Sequence, residues 1–239
     1  MPFAETPLRD EYAAAVERVA GRTLDALRGG GGAAALTDPD TVVPRPLLAA
    51  VRVLGADLFA PQLISGAEPD TATAALLAEA RRALPAPAPA SEGAAVVIGW
   101  QDWAADRLLS RTPFGDGTPA SARPPTPPPD RERLGWRLWS ARMAQLSVLA
   151  LPGLDGPLHD TVRAGTLDLA RGTVRAVLRR DATTSVRLAR WLAWAHADGR
   201  PLRLEIEPVL DRIDQVNDGT DRSGLELAIA RALLNGAPR

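Results

Sequence analysis

With 239 residues and 46% hydrophobic side chains, the chain is long enough and apolar enough to bury a substantial core. Its net charge is −1, which excludes binding of polyanions by bulk charge, and all 28 of its basic residues are arginine. Because arginine stays protonated and the chain has neither lysine nor cysteine, Schiff-base, thiolate and disulfide chemistry are all excluded.

Helix-forming alanine, leucine and arginine dominate the periodic segments, whereas alternation of β-branched or aromatic residues with polar residues is scarce. The sequence therefore predicts a mainly α protein, a bundle or array of about eight helices. The predicted helices cover residues 7–28, 45–59, 70–84, 95–111, 131–151, 157–180, 184–198 and 221–235.

Two short segments also fit a strand pattern. Residues 94–99 carry the run Ala-Ala-Val-Val-Ile-Gly, and residues 202–206 alternate apolar and charged side chains. Pro201 and Pro208 limit the second segment to a few residues. Either the helix predicted at 95–111 includes the first segment, or the two segments form one minor strand pair.

Two proline-rich stretches divide the chain. Residues 85–90 repeat Pro-Ala, and residues 112–129 contain seven prolines, which favours an extended surface connection. They predict an N-terminal helical part at 1–84, a bridging helix with proline-rich linkers at 85–129, and a C-terminal helical part at 130–239. The parts can also pack as one domain.

Positive charge is concentrated in residues 130–200, which carry 12 arginines and 7 acidic residues, a net charge of +5. Within this block Arg171, Arg175 and Arg179 follow at four-residue spacing and form a stripe on one helix face. Guanidinium groups bind phosphate and carboxylate bidentately, so the stripe is a candidate anion-binding site. The alternatives are a solvated helix face and pairing with the acidic segment 201–239.

The six tryptophans form three pairs at i, i+3 spacing, and each pair shares one helix face. The pair Trp136/Trp139 shares its face with Met143 and Leu146, which predicts burial in the core.

The other two tryptophan pairs share a helix side with arginines. Such a surface indicates either internal cation–π stacking or a partly exposed patch that binds a partner or ligand. The candidate binding residues are Trp191, Trp194, Arg187 and Arg190 on one helix, and Trp100, Trp103, Arg107 and Arg111 on another.

No motif for catalysis or metal binding organises the remaining polar residues. The glycine run Gly29–Gly32 lacks the Gly-Lys-Ser/Thr ending of a phosphate-binding loop, and no Gly-x-Ser-x-Gly elbow occurs. The two histidines, His159 and His196, show no metal-ligand spacing. The sequence predicts no metal and no cofactor, and it leaves open whether the protein is an enzyme.

Three functional hypotheses remain. The first is a cytoplasmic, non-catalytic protein that binds a protein partner or a second copy of itself through the Trp/Arg surfaces. The second is a metal-free enzyme or small-ligand binder with a Trp/Arg-lined helical pocket for an anionic, partly apolar molecule. The third, weak nucleic-acid binding through residues 130–200, lacks a recognition motif. No membrane association is expected, since the N-terminus lacks a signal peptide pattern and charged residues or prolines interrupt the apolar runs.

Overall fold

A computed structural model of the protein describes residues 5–30, 42–115, 126–216 and 219–236. These residues form α-helices joined by turns and loops, with 3-10 turns at Gly55–Phe59 and Ser147–Leu149. The helices, in chain order, are α1 (Glu5–Leu27), α2 (Arg45–Leu54), α3 (Ala60–Ser65), α4 (Thr71–Ala83), α5 (Glu92–Leu109), α6 (Arg131–Gln145), α7 (Pro157–Ala164), α8 (Thr166–Leu178), α9 (Ala182–Ala197), α10 (Ile206–Gln215) and α11 (Asp221–Asn235).

The predicted mainly α architecture is confirmed, but the predicted strand pair is wrong. Residues 94–99 lie inside α5, because the Ser91 side chain accepts a hydrogen bond from the Ala94 amide and starts the helix upstream of the β-branched run. Residues 202–205 form a loop, and Ile206 begins α10. No strand occurs anywhere in the part of the chain that the structure describes.

The sequence analysis did not predict α3 and α10, and one helix that it predicted is divided into two. Prolines lie in the first turns of α3 and α10, where the missing amide donor costs nothing. The helix predicted at 157–180 is interrupted at Gly165, which separates α7 from α8. A Cβ atom on Gly165 would lie 2.5 Å from the Trp139 ring, so a glycine allows this close approach.

Helix α9 forms the centre of the core. It packs against α6, α8, α10 and α11, and its residues are buried from Leu188 to Ala195. Helix α1 packs against α2 and also against α11. The N-terminal part of the chain therefore contacts the C-terminal part through α1 and α11. The predicted part boundaries at 84/85 and 129/130 stay a prediction.

The proline-rich stretches differ in how far they can be followed. Residues 85–90 form an exposed connection between α4 and α5. Within 112–129, residues 116–125 lie outside the described residues, so the predicted long surface connection stays a prediction there.

One stretch, Arg45–Ser65, is long and apolar enough to cross a membrane by length and composition alone. In the folded chain it comprises α2, a 3-10 turn and α3, and most of it is buried. It also carries the fully buried carboxylate of Asp57. This stretch therefore forms part of the protein core.

Candidate functional site

Arg190, expected on a binding surface, lies in the core and is fully buried. Its Nη2 donates to Asp57 Oδ1 at 2.7 Å, and its Nη1 donates to Glu226 Oε2 at 2.8 Å. Its Nε also donates to the Ala150 carbonyl at 3.3 Å. Because its donors are directed to internal acceptors, Arg190 is a structural residue, and the expectation that it contributes to an exposed patch is corrected.

Two further arginines complete this buried ionic cluster. Arg222 Nη2 lies 3.2 Å from Asp57 Oδ2, and Arg187 Nε lies 3.4 Å from Glu226 Oε1. Burial alone would raise the pKa of the Glu226 carboxyl, but the charges of Arg190, Arg222 and Arg187 together lower it to about 2. Glu226 therefore stays ionised near neutral pH and is a poor candidate for a general base.

Trp191 and Trp194 are buried as well, and they pack around His159 rather than around Arg187 and Arg190. The His159 ring centroid lies 5.5 Å from Trp191 and 4.8 Å from Trp194. The Trp191 Nε1 donates to the Met143 carbonyl at 2.8 Å. These rings belong to the core, which corrects the hypothesis of an exposed Trp/Arg patch on α9.

His159 is held as a neutral ring inside this aromatic cluster. Burial lowers its pKa, and its Nε2 donates to the Leu149 carbonyl at 3.0 Å. Among the described residues no group of three histidine or carboxylate side chains could hold a metal ion.

The tryptophans of α5 follow the internal alternative. Trp100 and Trp103 are buried and meet edge to face with centroids 5.4 Å apart. The Arg107 guanidinium lies 5.7 Å from the Trp103 ring centroid, and Arg111 donates to the Gly153 carbonyl. Cation–π packing therefore accounts for Arg107 and Trp103, whereas the exposed Arg111 contacts backbone rather than a tryptophan ring.

The third pair is only partly buried, against the prediction. Trp139 is fully buried, but Trp136 is half-buried and carries the Arg137 guanidinium 5.3 Å from its ring centroid.

The predicted arginine stripe on α8 contains one paired arginine and two that form no ion pair with a described residue. Arg171 pairs with Asp168 at 3.2 Å, and the same carboxylate also binds Arg131. Arg175 and Arg179 are exposed and form no ion pair with any described residue. Pairing of this stripe with the acidic segment 201–239 does not occur within the described part of the chain.

Arg175 and Arg179 line a groove of about 460 Å³ between α6, α8 and the start of α9. Arg137 of α6 lies in the same lining and likewise forms no ion pair within the described ranges. The sequence reasoning missed Arg137, because its place beside the stripe depends on how α6 packs against α8.

The close packing of α6 and α8 depends on a glycine. A Cβ atom on Gly172 would lie 2.6 Å from the Ser140 Cβ and 3.0 Å from Leu188 Cδ1. Only a residue without a side chain fits there, so Gly172 lets the two helices approach and sets the width of the groove.

Large apolar side chains are exposed on the same two helices. Leu138 of α6 is 64% exposed and Leu178 of α8 is 79% exposed. Leu167 and Val174 are exposed too, and their spacing places them on one face of α8 with Leu178. We use the name α6–α8 face for two neighbouring sets of exposed residues. Arg137, Leu138, Arg175 and Arg179 line the groove, and Leu167, Val174 and Leu178 form the apolar stripe that follows Arg175 around α8.

The groove of the α6–α8 face is lined by three arginines and by few acidic side chains. Asp181 is the one acidic residue among the described residues that line the groove, and its side chain accepts a hydrogen bond from the Thr184 amide as the N-cap of α9. Comparisons with models of protein families, with curated proteins and with solved structures give no match. The candidate site is therefore defined by its geometry and charge.

Proposed function

We propose that this protein is a non-catalytic, cytoplasmic binding protein whose α6–α8 face holds an acidic amphipathic helix of a partner protein. The observation that carries the proposal is the position of Arg137, Arg175 and Arg179. These three guanidiniums line one groove and have no ion-pair partner among the described residues. Helical spacing places Arg175 and Arg179 within one turn of Leu178, the last residue of the exposed apolar stripe that also contains Leu167 and Val174.

The apolar stripe favours a helix over other anionic partners. An amphipathic helix has apolar residues at i, i+3, i+4 and i+7, and it would cover the stripe while its flanking carboxylates reach the three guanidiniums. Phosphate backbones contact basic and polar groups and leave large aliphatic side chains in water. The exposed leucines therefore weigh against nucleic acid.

The proposal is tested by calorimetric titration with a helical peptide of about 18 residues, with leucines on one face and glutamates on the flanks. We expect saturable binding that weakens as salt is added, because exposed charge pairs are screened. A peptide of the same composition in scrambled order should not bind.

The decisive variant is Arg175→Gln/Arg179→Gln, which we expect to weaken peptide binding about tenfold or more. The matched control is Arg18→Gln/Arg22→Gln on α1, where two exposed arginines have the same four-residue spacing and form no ion pair among the described residues. Leu178→Gln should also weaken binding without lowering the midpoint of a urea melt.

Three results would overturn this function. The first is equal loss of peptide affinity in the α8 and α1 variants, which would mean that bulk charge alone attracts the peptide. The second is binding of phosphatidylserine vesicles that depends on Arg175 and Arg179 while the peptide stays unbound, which would assign the face to a membrane surface. The third is self-association that is lost in the Leu178 variant, which would identify a second copy of this chain as the occupant instead.

A further inference from the structure

A separate cavity of about 240 Å³ lies between α2, α4 and α5. Its walls are mainly apolar, with Leu54 from α2, Leu77 from α4 and Ile98 and Ala105 from α5. It is smaller than the roughly 300–1,000 Å³ of sites for drug-sized molecules. Its size and lining therefore suit the apolar part of a small molecule.

Four polar side chains border this cavity: Arg52, Arg81, Gln101 and Asp102. Asp102 Oδ1 accepts from Arg81 Nη1 at 2.9 Å and from Arg52 Nη2 at 3.2 Å. Arg81 also donates to Asp106 Oδ1 at 2.6 Å. One carboxylate oxygen thus serves two guanidiniums, and Arg81 is the more fully paired of the two.

Arg52 keeps unused donor capacity at the edge of the cavity. Its side chain is only 16% exposed, and Asp102 is its one hydrogen-bond partner among the described residues. A guanidinium carries five N–H donors, so most of those on Arg52 lack a protein acceptor there. These donors face the cavity and solvent, so an acceptor supplied by a ligand inside the cavity would form charge-assisted hydrogen bonds with them.

We propose that this cavity binds a small aliphatic carboxylic acid, with the hydrocarbon chain between α2, α4 and α5 and the carboxylate on Arg52. A carboxylate matches the guanidinium in charge and in planar geometry. The Arg52 guanidinium has only N–H donors and a positive charge, so it repels an ammonium and offers it no acceptor. A neutral alcohol can accept a hydrogen bond from Arg52, but this bond is weaker than one to a carboxylate. The chemistry therefore selects acids over amines and alcohols of equal chain length.

Titration calorimetry with octanoate, octylamine and 1-octanol tests this selection on the full chain. We expect octanoate to bind saturably at one molecule per chain, with the alcohol about tenfold weaker or more and the amine not binding. Equal affinity for octanoate and octanol would overturn the role of Arg52, and absence of saturable octanoate binding would overturn the site.

Two variants locate the bound acid. Ala49→Leu places extra methyl groups into the cavity from α2 and should abolish octanoate binding while the protein stays folded. Arg52→Gln should reduce the preference for octanoate over octanol about tenfold. Because fatty acids also adsorb to basic apolar surfaces, Arg175→Gln/Arg179→Gln serves as the control and should leave octanoate binding unchanged. Octanoate binding that survives Ala49→Leu but is lost in this control would place the acid on the α6–α8 face and overturn the proposal.

Discussion

Arg190 Nη2 and Asp57 Oδ1 lie 2.7 Å apart in the core although 133 residues separate them along the chain. Glu226 of α11 closes the other side of the same guanidinium. A buried ion pair of this kind contributes little beyond what a well-packed apolar group would, but removal of one partner leaves a charge stranded in a medium of low dielectric constant. These ion pairs join the 3-10 turn that carries Asp57 to α9 and α11. Loss of one partner should therefore destabilise all three segments together.

Replacement of Glu226 should show this dependence. We expect Glu226→Gln to lower the free energy of unfolding by about 3–5 kcal/mol, since Arg190 would lose one of its two buried counter-charges. A urea melt measures the change. The control is Glu207→Gln on the exposed side of α10. Equal midpoints for the two variants would contradict the structural role of the cluster.

Acid should weaken the same cluster. The pKa of Glu226 is about 2 in the folded protein and near 4.5 without its partners, so the folded state holds its proton less tightly than the unfolded state. Its contribution to stability is complete above pH 4.5 and is lost as the pH falls toward 2. Urea melts across this range should show a smaller loss in Glu226→Gln than in the unchanged protein.

A second pH dependence should arise from His159. Burial lowers its pKa below 6.5, so below pH 6.5 the unfolded state takes up a proton that the folded state does not. Stability should therefore decrease as the pH falls below this value, by at most about 1.4 kcal/mol per pH unit. His159→Gln keeps a donor toward Leu149 and should remove this slope. An unchanged slope in the variant would assign the dependence to another group.

Truncation of the α9 tryptophans should affect folding. We expect Trp191→Ala to cost about 3–5 kcal/mol, because the ring is fully buried and its Nε1 donates to the Met143 carbonyl. Trp136→Ala, at a half-buried ring, should cost much less. Urea melts that show similar midpoints for both variants would mean that the Trp191 site is not packed as described.

Replacement of glycine by alanine should affect stability differently at two helix positions. Gly172→Ala inserts a methyl group 2.6 Å from the Ser140 Cβ. This clash should push α6 and α8 apart and lower the free energy of unfolding by about 1–3 kcal/mol. Gly224→Ala meets only Leu24 Cδ2 at 3.4 Å and should be neutral or slightly stabilising, because alanine favours helix. Thermal melts of the two variants provide the comparison, and a stable Gly172→Ala protein would contradict the close packing.

The sequence predicts local features well and the site poorly. Apolar periodicity located most helices, and the capping serine at position 91 shows why α5 outweighs the β preference of Val96 and Val97. Periodicity does not reveal that Asp57 and Glu226 lie opposite Arg190, so a buried ionic core resembled an exposed patch.

The sequence predicted only part of the α6–α8 face. Spacing on one helix identified Arg175 and Arg179, whereas Arg137 joins them only through the packing of α6 on α8. Gly172, a small residue within an amphipathic helix, was the one local signal of that close approach.

The uneven burial of the tryptophans gives the protein a built-in optical probe. Trp136 is half-buried under Arg137, whereas Trp100, Trp103, Trp139, Trp191 and Trp194 are all buried. Indole fluorescence that iodide can quench should therefore come mainly from Trp136. Arg137 belongs to the α6–α8 face, so a partner bound there should shield Trp136 from iodide. The decrease in iodide quenching then measures the fraction of protein that is bound, without an added label.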